Sequence, residues 1–116
     1  MVRPADIYLR FLQLSEAIRG LPSLPALDPL EERILGIVAR AQQEQTRLSV
    51  RTMMAKHELG APATVHARLK SMREKGWIQL SDTEDARRKQ IELTQAALKH
   101  FDHLSACMLR AASGGN

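Results

Sequence analysis

The stretch of sequence that decides the fold is APATVHARLKSMREKGWI, residues 61–78. Pro62 suits the first turn of a helix because no backbone N–H is lost there, and Gly76 suits the position just past a helix end. Between them, apolar residues recur at helical spacing: Val65, Leu69 and Met72. We therefore predict an amphipathic helix with one buried face and an opposite face rich in small and polar side chains.

The segments on either side of this helix complete a known structural order. Upstream, Ser49 is expected to cap a shorter helix over residues 50–58, and a glycine turn at residues 59–60 separates the two helices. Downstream, residues 77–80 and 90–93 are predicted to form two strands joined by a polar loop. Helix, tight turn, second helix and two-stranded hairpin is the order of a winged helix-turn-helix.

Further helices flank this arrangement. Residues 28–31, Asp-Pro-Leu-Glu, have the pattern of a capping box and predict a helix start, and Thr94 is expected to cap the last helix. Residues 5–19 form an amphipathic pattern that is apolar around much of the helix, so burial on two sides is needed, and a subunit interface would supply it. The predicted fold class is mainly α with a small β-hairpin.

The 116 residues leave room for one such domain, which we divide into three parts. Residues 1–27 hold the N-terminal helix and a proline-rich connector, residues 28–93 the winged helix-turn-helix, and residues 94–116 the C-terminal helix and a flexible tail. The two end helices are predicted to mediate dimerisation. Their candidate interface residues are Ile7, Phe11, Leu14, Ile18, Phe101, Leu104 and Met108.

Charge is concentrated in one window. Residues 47–89 hold ten Lys and Arg against five acidic residues, a net charge of +5, whereas the whole chain carries +4. An anionic partner is therefore expected at this window. Aromatic residues are only 3%, which argues against base stacking on aromatic platforms. A single cysteine and the lack of a long apolar run favour a cytoplasmic protein with no membrane partner.

Residues spaced 100° apart around the central helix define a face that suits the major groove of double-stranded DNA. Small side chains there would let the backbone approach, while hydroxyl and basic groups would bond to bases or phosphates. The loop between the strands adds three consecutive cations, although its acidic residues offer a self-neutralising alternative. The candidate DNA-binding residues are Pro62, Ala63, Thr64, His66, Ala67, Arg68, Lys70, Ser71, Arg87, Arg88 and Lys89.

Residues 29–100 resemble the MarR family of bacterial winged-helix regulators. The matching positions are Thr64-Val65, Gly76-Trp77-Ile78, Asp85 with Arg87, and Leu93-Thr94. The resemblance implies a homodimer that represses transcription and places its two recognition helices in successive major grooves of a near-palindromic operator. It also implies that Arg87 enters the minor groove with Asp85 bracing it, and that a small-molecule effector can bind near the dimer interface.

The sequence departs from the family pattern in two ways. The family often has an Arg three residues after the matching Thr, a base contact, and this chain has Ala67 there. The chain is also shorter than is typical at both ends, which predicts an effector pocket that is reduced or absent.

Other classes of function are open at this point. His100, His103 and Cys107 share one stripe of the last helix, and such ligands suit zinc, nickel or copper in a sensor of the ArsR type. We nevertheless predict no metal and no cofactor, and a redox role for Cys107 lacks the basic neighbours it would need. No phosphate loop, catalytic triad or carboxylate pair indicates an enzyme. A winged helix used as a protein-interaction or assembly module is the remaining alternative.

Overall fold

The structure, a computed structural model, describes residues 3–17, 24–83 and 89–113. Within these ranges it contains five α-helices and one two-stranded antiparallel hairpin, which confirms the predicted fold class. The chain divides into two compact units: Leu24–Ala97, called here the central unit, and Met1–Ser23 with Leu98–Asn116, called the terminal unit. None of the described helices combines the length and the apolar character that a membrane span requires.

The first helix, α1, spans Pro4–Ala17 and belongs to the terminal unit. The backbone N–H of Arg3 donates to the Asp6 carboxylate at 3.1 Å, so an acidic side chain stabilises the first turn. The helix predicted for residues 5–19 is present as far as Ala17, and the rest of that prediction, including Ile18, lies outside the described residues.

The second helix, α2, spans Pro29–Gln43 and begins with the predicted capping box. The Glu31 N–H donates to Asp28 Oδ1 at 2.7 Å, and the Asp28 N–H donates to Glu31 Oε1 at 2.9 Å. Ile34 and Val38 point into the core and are 0% and 1% exposed. The reciprocal hydrogen bonds satisfy backbone groups that every helix start leaves unpaired, and this explains why the helix begins here.

The third helix, α3, is shorter than predicted and spans Val50–Met54. Ser49 caps it as expected by accepting a backbone N–H at 3.0 Å. The chain then leaves helical geometry at Lys56, where ψ is 96°, and forms a separate 3₁₀ turn over His57–Leu59. The prediction of one continuous helix over residues 50–58 is therefore wrong. Leu59, the last residue of the 3₁₀ turn, is buried in the core.

The fourth helix, α4, spans Pro62–Lys75, with the proline at its start and the glycine at its end as predicted. Gly76 adopts the left-handed conformation with φ of +88°, which favours glycine because it has no Cβ. The predicted inner face is buried, with exposures of 0% for Val65, 3% for Leu69 and 0% for Met72. This burial fixes which face of α4 points outward.

The hairpin consists of β1, Ile78–Asp82, and β2, Lys89–Leu93. The strands are antiparallel, with Ile78 opposite Leu93 and Leu80 opposite Ile91. Both strands reach further toward the loop than the predicted ranges because Asp82 and Lys89 also pair. The edge of β2 that faces away from β1 also forms a backbone hydrogen bond: the Ile91 N–H donates to the Leu48 carbonyl at 2.7 Å.

The last helix, α5, spans Gln95–Ala112. Thr94 caps it as predicted, because its hydroxyl oxygen accepts the Ala97 N–H at 3.0 Å. The same hydroxyl donates to the Gly76 carbonyl at 2.6 Å. One side chain therefore links the end of α4 to the start of α5 within the central unit.

Candidate nucleic-acid interface

The outward face of α4 carries most of the predicted DNA-binding residues. Six of them are exposed: Pro62, Ala63, Thr64, His66, Ala67 and Lys70. Because the opposite face is packed in the core, these side chains form one continuous surface on a rigid helix. The helix is about 21 Å long, a length that fits along the major groove of DNA, which is about 12 Å wide.

The start of α4 is open to a ligand. Ala61 is the N-cap and has no side chain that could accept a hydrogen bond, while its carbonyl accepts from Thr64 and Val65 at 3.0 and 3.1 Å. A helix N-terminus carries partial positive charge, so its backbone favours anions such as phosphate. The small residues of the first turn allow a backbone or a base edge to come close.

A second group of α4 residues faces the start of α2. Arg68, Ser71 and Lys75 follow one another at helical spacing, and we call them the α4 stripe. Arg68 Nε lies 2.7 Å from an Asp28 carboxylate oxygen, and Lys75 Nζ donates to Glu31 Oε1 at 2.8 Å. Ser71 lies between them on the same side of α4 and is half-buried. Two predicted DNA-binding residues, Arg68 and Ser71, are therefore half-buried on this side of α4, and Arg68 has an intramolecular partner.

The two carboxylates that face the α4 stripe are ionised at neutral pH. Burial acts to raise the pKa of Glu31, but hydrogen bonds from the Asp28 N–H and from Lys75 outweigh it and hold the pKa below its usual 4.5. The hydrogen bond from the Glu31 N–H is the largest cause that lowers the pKa of Asp28 below 3.8, and the Arg68 charge adds to it. Both ion pairs are therefore formed under physiological conditions.

The chain that precedes α2 is attached to the end of α4. Lys75 Nζ donates a second hydrogen bond, to the Ala26 carbonyl at 2.9 Å. The indole N–H of Trp77 donates to the Pro25 carbonyl at 2.7 Å. Trp77 itself is 6% exposed, so this contact is sheltered from water. Nothing in the spacing of these residues along the sequence indicates the attachment, because the partners are about 50 positions apart.

The start of β2 carries one predicted DNA-binding residue. Lys89 forms an ion pair with Asp82 across the hairpin, and the two side chains remain 47% and 75% exposed. Exposed ion pairs are worth only about 0–1 kcal/mol, so a phosphate can compete for Lys89. Asp85, Arg87 and Arg88 lie outside the described residues.

Two basic residues that the sequence analysis did not single out are also exposed. Arg51 lies on α3, the first helix of the helix-turn-helix, and Arg47 lies shortly before it. In this motif the first helix crosses the DNA backbone, where arginines contact phosphates. The signal was present in the sequence, since both residues belong to the positively charged window of residues 47–89.

The predicted dimerisation residues differ in their exposure. Ile7 and Met108 are 36% and 53% exposed. Four others are half-buried: Phe11, Leu14, Phe101 and Leu104. The terminal unit also exposes large apolar side chains that the sequence analysis did not include, namely Tyr8, Leu9, Leu12 and Leu109.

An apolar groove lies within the terminal unit. Its volume is about 440 Å³, and Pro4, Ile7, Tyr8, Phe11, Met108 and Ala111 are among the residues that line it. Three predicted dimerisation residues thus lie side by side on one concave surface. An exposed apolar surface of this kind is typical of a contact with a partner or a ligand.

The three possible metal ligands on α5 differ in their exposure to solvent. Cys107 is buried, His100 is half-buried and His103 is exposed. Burial is the main cause that lowers the pKa of His100 below its usual 6.5, and the neighbouring His103 charge lowers it further. Among the described residues, no three side chains of His, Cys, Asp or Glu come together as a metal site requires.

Comparison with known proteins adds information about the fold. The sequence matches no protein-family model and no curated protein. Among solved structures, Staphylococcus aureus MepR bound to ethidium bromide is 20% identical, over 93% of this chain and 74% of that chain, with a TM-score of 0.62. A MepR mutant bound to an oligodeoxyribonucleotide is 20% identical over 95% of this chain and 73% of that one, with a TM-score of 0.58.

A regulator from a second organism shares the same architecture. A mutant of Lactococcus lactis ZitR is 21% identical over 98% of this chain and 81% of that chain, with a TM-score of 0.54. MepR and ZitR are transcriptional regulators of the MarR type. The chain described here has the winged helix-turn-helix fold of these MarR-type regulators.

Proposed function

We propose that this chain is a sequence-specific regulator that binds double-stranded DNA as a homodimer and represses transcription at a near-palindromic operator. The observation that carries the proposal is the outward face of α4, where small, hydroxyl and basic side chains stand opposite a buried apolar face. Two comparisons support it: a MepR mutant of similar fold is bound to an oligodeoxyribonucleotide, and MepR is a transcription regulator of an efflux pump.

In this proposal the first half of α4 reads base edges in the major groove. Ala63 and Ala67 allow close approach and offer methyl groups to thymine, while Thr64 and His66 bond to base edges. An alanine makes no bidentate contact with guanine, so Ala67 shifts discrimination toward apolar contacts and DNA shape. The preferred operator should accordingly be rich in A·T pairs where Ala67 approaches it.

Basic residues around this helix provide the affinity. Lys70, Arg88 and Lys89 contact phosphates, and the exposed part of Arg68 does so at the edge of the interface. Arg87 enters the adjacent minor groove, with Asp85 holding its guanidinium. Each phosphate contact releases counterions, so the affinity should fall steeply as salt concentration rises.

The homodimer forms through the terminal unit in this proposal. Among the described residues of this unit, six large apolar side chains are exposed, from Ile7 at 36% to Leu109 at 72%. A second copy of the chain offers the same surface, and a two-fold dimer requires a self-complementary patch. The two recognition helices would then contact half-sites about one helical turn, roughly 34 Å, apart.

The experiment that tests the proposal is selection of bound duplexes from random DNA at physiological salt. We expect enrichment of one near-palindrome. With that duplex, Arg87→Ala should lower the slope of log affinity against log salt by about one unit for each recognition domain. Lys99→Ala removes the same charge from α5 and serves as the matched control, for which the slope should remain close to that of the unsubstituted protein.

The outcomes separate this function from its main alternative. Enrichment of a single palindrome with a dimer in solution supports a regulator. No enrichment and no retardation of any duplex would instead favour a winged helix that acts as a protein-interaction or assembly module.

A further inference from the structure

The acidic residues at the start of α2 bind both the backbone of their own helix and the basic side chains of α4. Asp28 and Glu31 close the capping box of their own helix, and the same carboxylates bind the α4 stripe through Arg68 and Lys75. Arg68 and Lys75 are seven residues apart, which separates the two attachment points by about 10 Å along the axis of α4. Attachment at two separated points restricts both the tilt and the rotation of a helix.

The two attachments differ in their exposure to water. The side chains of Arg68 and Asp28 are 40% and 37% exposed, whereas those of Lys75 and Glu31 are 27% and 2% exposed. A solvated pair is weak and easily exchanged for water. Breaking a buried pair leaves a charge without compensation, which is strongly unfavourable. The Glu31–Lys75 pair is therefore the more rigid of the two attachments.

We propose that Glu31, acting through Lys75, is a positioning residue that holds α4 in the orientation in which its outward face fits the major groove. This inference rests on the DNA-binding function proposed above. Glu31 is buried and does not touch DNA, and Lys75 Nζ is already bonded to Glu31 at 2.8 Å and to the Ala26 carbonyl at 2.9 Å. The pair acts on recognition only through the placement of α4.

The consequence should appear in specificity more than in total affinity. Hydrogen bonds to base edges need donor and acceptor to meet within a few tenths of an ångström, so a loosened recognition helix weakens them. Contacts to phosphates are less demanding in geometry and carry no sequence information. Loss of the pair should therefore reduce binding to the selected operator while binding to unrelated duplex DNA is retained.

Glu31→Gln is the decisive variant because simple electrostatics and positioning predict opposite results. The amide oxygen can still accept the Asp28 N–H, so the capping box is retained, while the charge that holds Lys75 is removed. The net charge rises by one, which by itself strengthens binding to DNA. Positioning instead predicts weaker binding to the operator.

The experiment compares dissociation constants for the selected operator and for an unrelated duplex of equal length, using the full chain. The specificity ratio, which is the dissociation constant for the unrelated duplex divided by that for the operator, should fall on the order of tenfold in Glu31→Gln and in Lys75→Gln, as expected for a coupled pair. Lys75→Arg, which keeps the charge, should retain most of the ratio. Glu32→Gln makes the same charge change at an exposed site of α2 and should leave the ratio unchanged.

A role in stability alone would lower the free energy of unfolding in urea without changing the ratio for the folded protein. An unchanged ratio in folded Glu31→Gln would overturn the inference. Should that variant unfold, the double variant Glu31→Gln with Lys75→Gln leaves no buried charge unpaired, and an unchanged ratio there overturns it equally. If the unsubstituted protein shows no preference for any duplex, the proposed function itself fails.

Discussion

The central and terminal units differ in how far their large apolar side chains are buried. In the central unit three large apolar side chains are fully buried: Ile34, Met53 and Met72 are each 0% exposed. In the terminal unit Tyr8 is 61% and Leu109 72% exposed. The central unit therefore buries its core within one chain, whereas the terminal unit leaves large apolar side chains exposed. The difference separates the part proposed to read DNA from the part proposed to assemble.

The largest effect should come from opening a cavity in the central unit. Ile34→Ala removes a fully buried side chain from α2, and we expect the free energy of unfolding in urea to fall by about 2–5 kcal/mol. Leu109→Ala, a similar truncation at an exposed site, should change it by no more than about 0.5 kcal/mol when the protein is monomeric. Equal losses in the two variants would mean that the units do not differ in packing.

The next prediction concerns assembly. Met108→Glu places a charge on the apolar groove, and a charge that is desolvated in an interface weakens association. We expect the dimer dissociation constant, measured by sedimentation equilibrium, to rise at least about tenfold. Gln13→Glu adds the same charge at an exposed polar position of α1 and should leave the constant nearly unchanged.

A smaller effect is expected at the DNA-binding surface. Lys70→Gln removes one exposed cation from the outward face of α4. Its affinity for all duplexes should fall by a similar factor, and the salt slope should decrease by about one unit for each recognition domain. A selective loss at the operator, with the salt slope unaltered, would assign Lys70 to base recognition instead.

The smallest predicted effects are shifts in the pH dependence of stability, and they differ between the units. The folded pKa of Glu31 lies below 4.5, so its contribution is complete above about pH 4.5 and is lost as pH falls through the folded value. In Glu31→Gln the free energy of unfolding should decrease less as pH falls. Urea unfolding at successive pH values measures this. Part of the loss of stability at acid pH should remain in this variant, because the pKa of Asp28 is also lowered.

His100 in the terminal unit should act in a higher pH range. Its folded pKa lies below 6.5, so the unfolded chain takes up a proton first as pH falls. Stability should therefore be complete above about pH 6.5 and decline below it. His100→Gln should remove this decline, and persistence of the decline in that variant would assign it to another group.

The local elements could be predicted because their causes are local. The Asp28–Glu31 capping box, the proline at the start of α4 and the glycine at its end each act over three or four residues, and all are present. The break in the helix predicted for residues 50–58 could not be foreseen in the same way. Residues 55–57 include neither glycine nor proline, so no local signal marks the point where the helix ends and the separate turn begins.

The candidate site shows the same division. The outward face of α4 follows from helical periodicity, and its predicted residues Thr64, Ala67 and Lys70 are exposed. The ion pair between Glu31 and Lys75 cannot be predicted from the sequence, because the two residues are 44 positions apart. A segment with both positive and negative charges does not indicate which of them will pair. For that reason Arg68 was predicted to contact DNA without its ion pair to Asp28 being foreseen.

The contact between Leu48 and Ile91 also bears on how copies of this chain can meet. A strand at the edge of a sheet exposes unpaired backbone groups and can recruit a strand from another molecule. Here the Ile91 N–H is bonded to the Leu48 carbonyl, and Ser49 bridges to Gln90 alongside it. This part of the outer edge of β2 is therefore occupied by the protein's own backbone. Another copy of the chain therefore cannot add a strand along this part of β2 without first displacing Leu48 and Ser49.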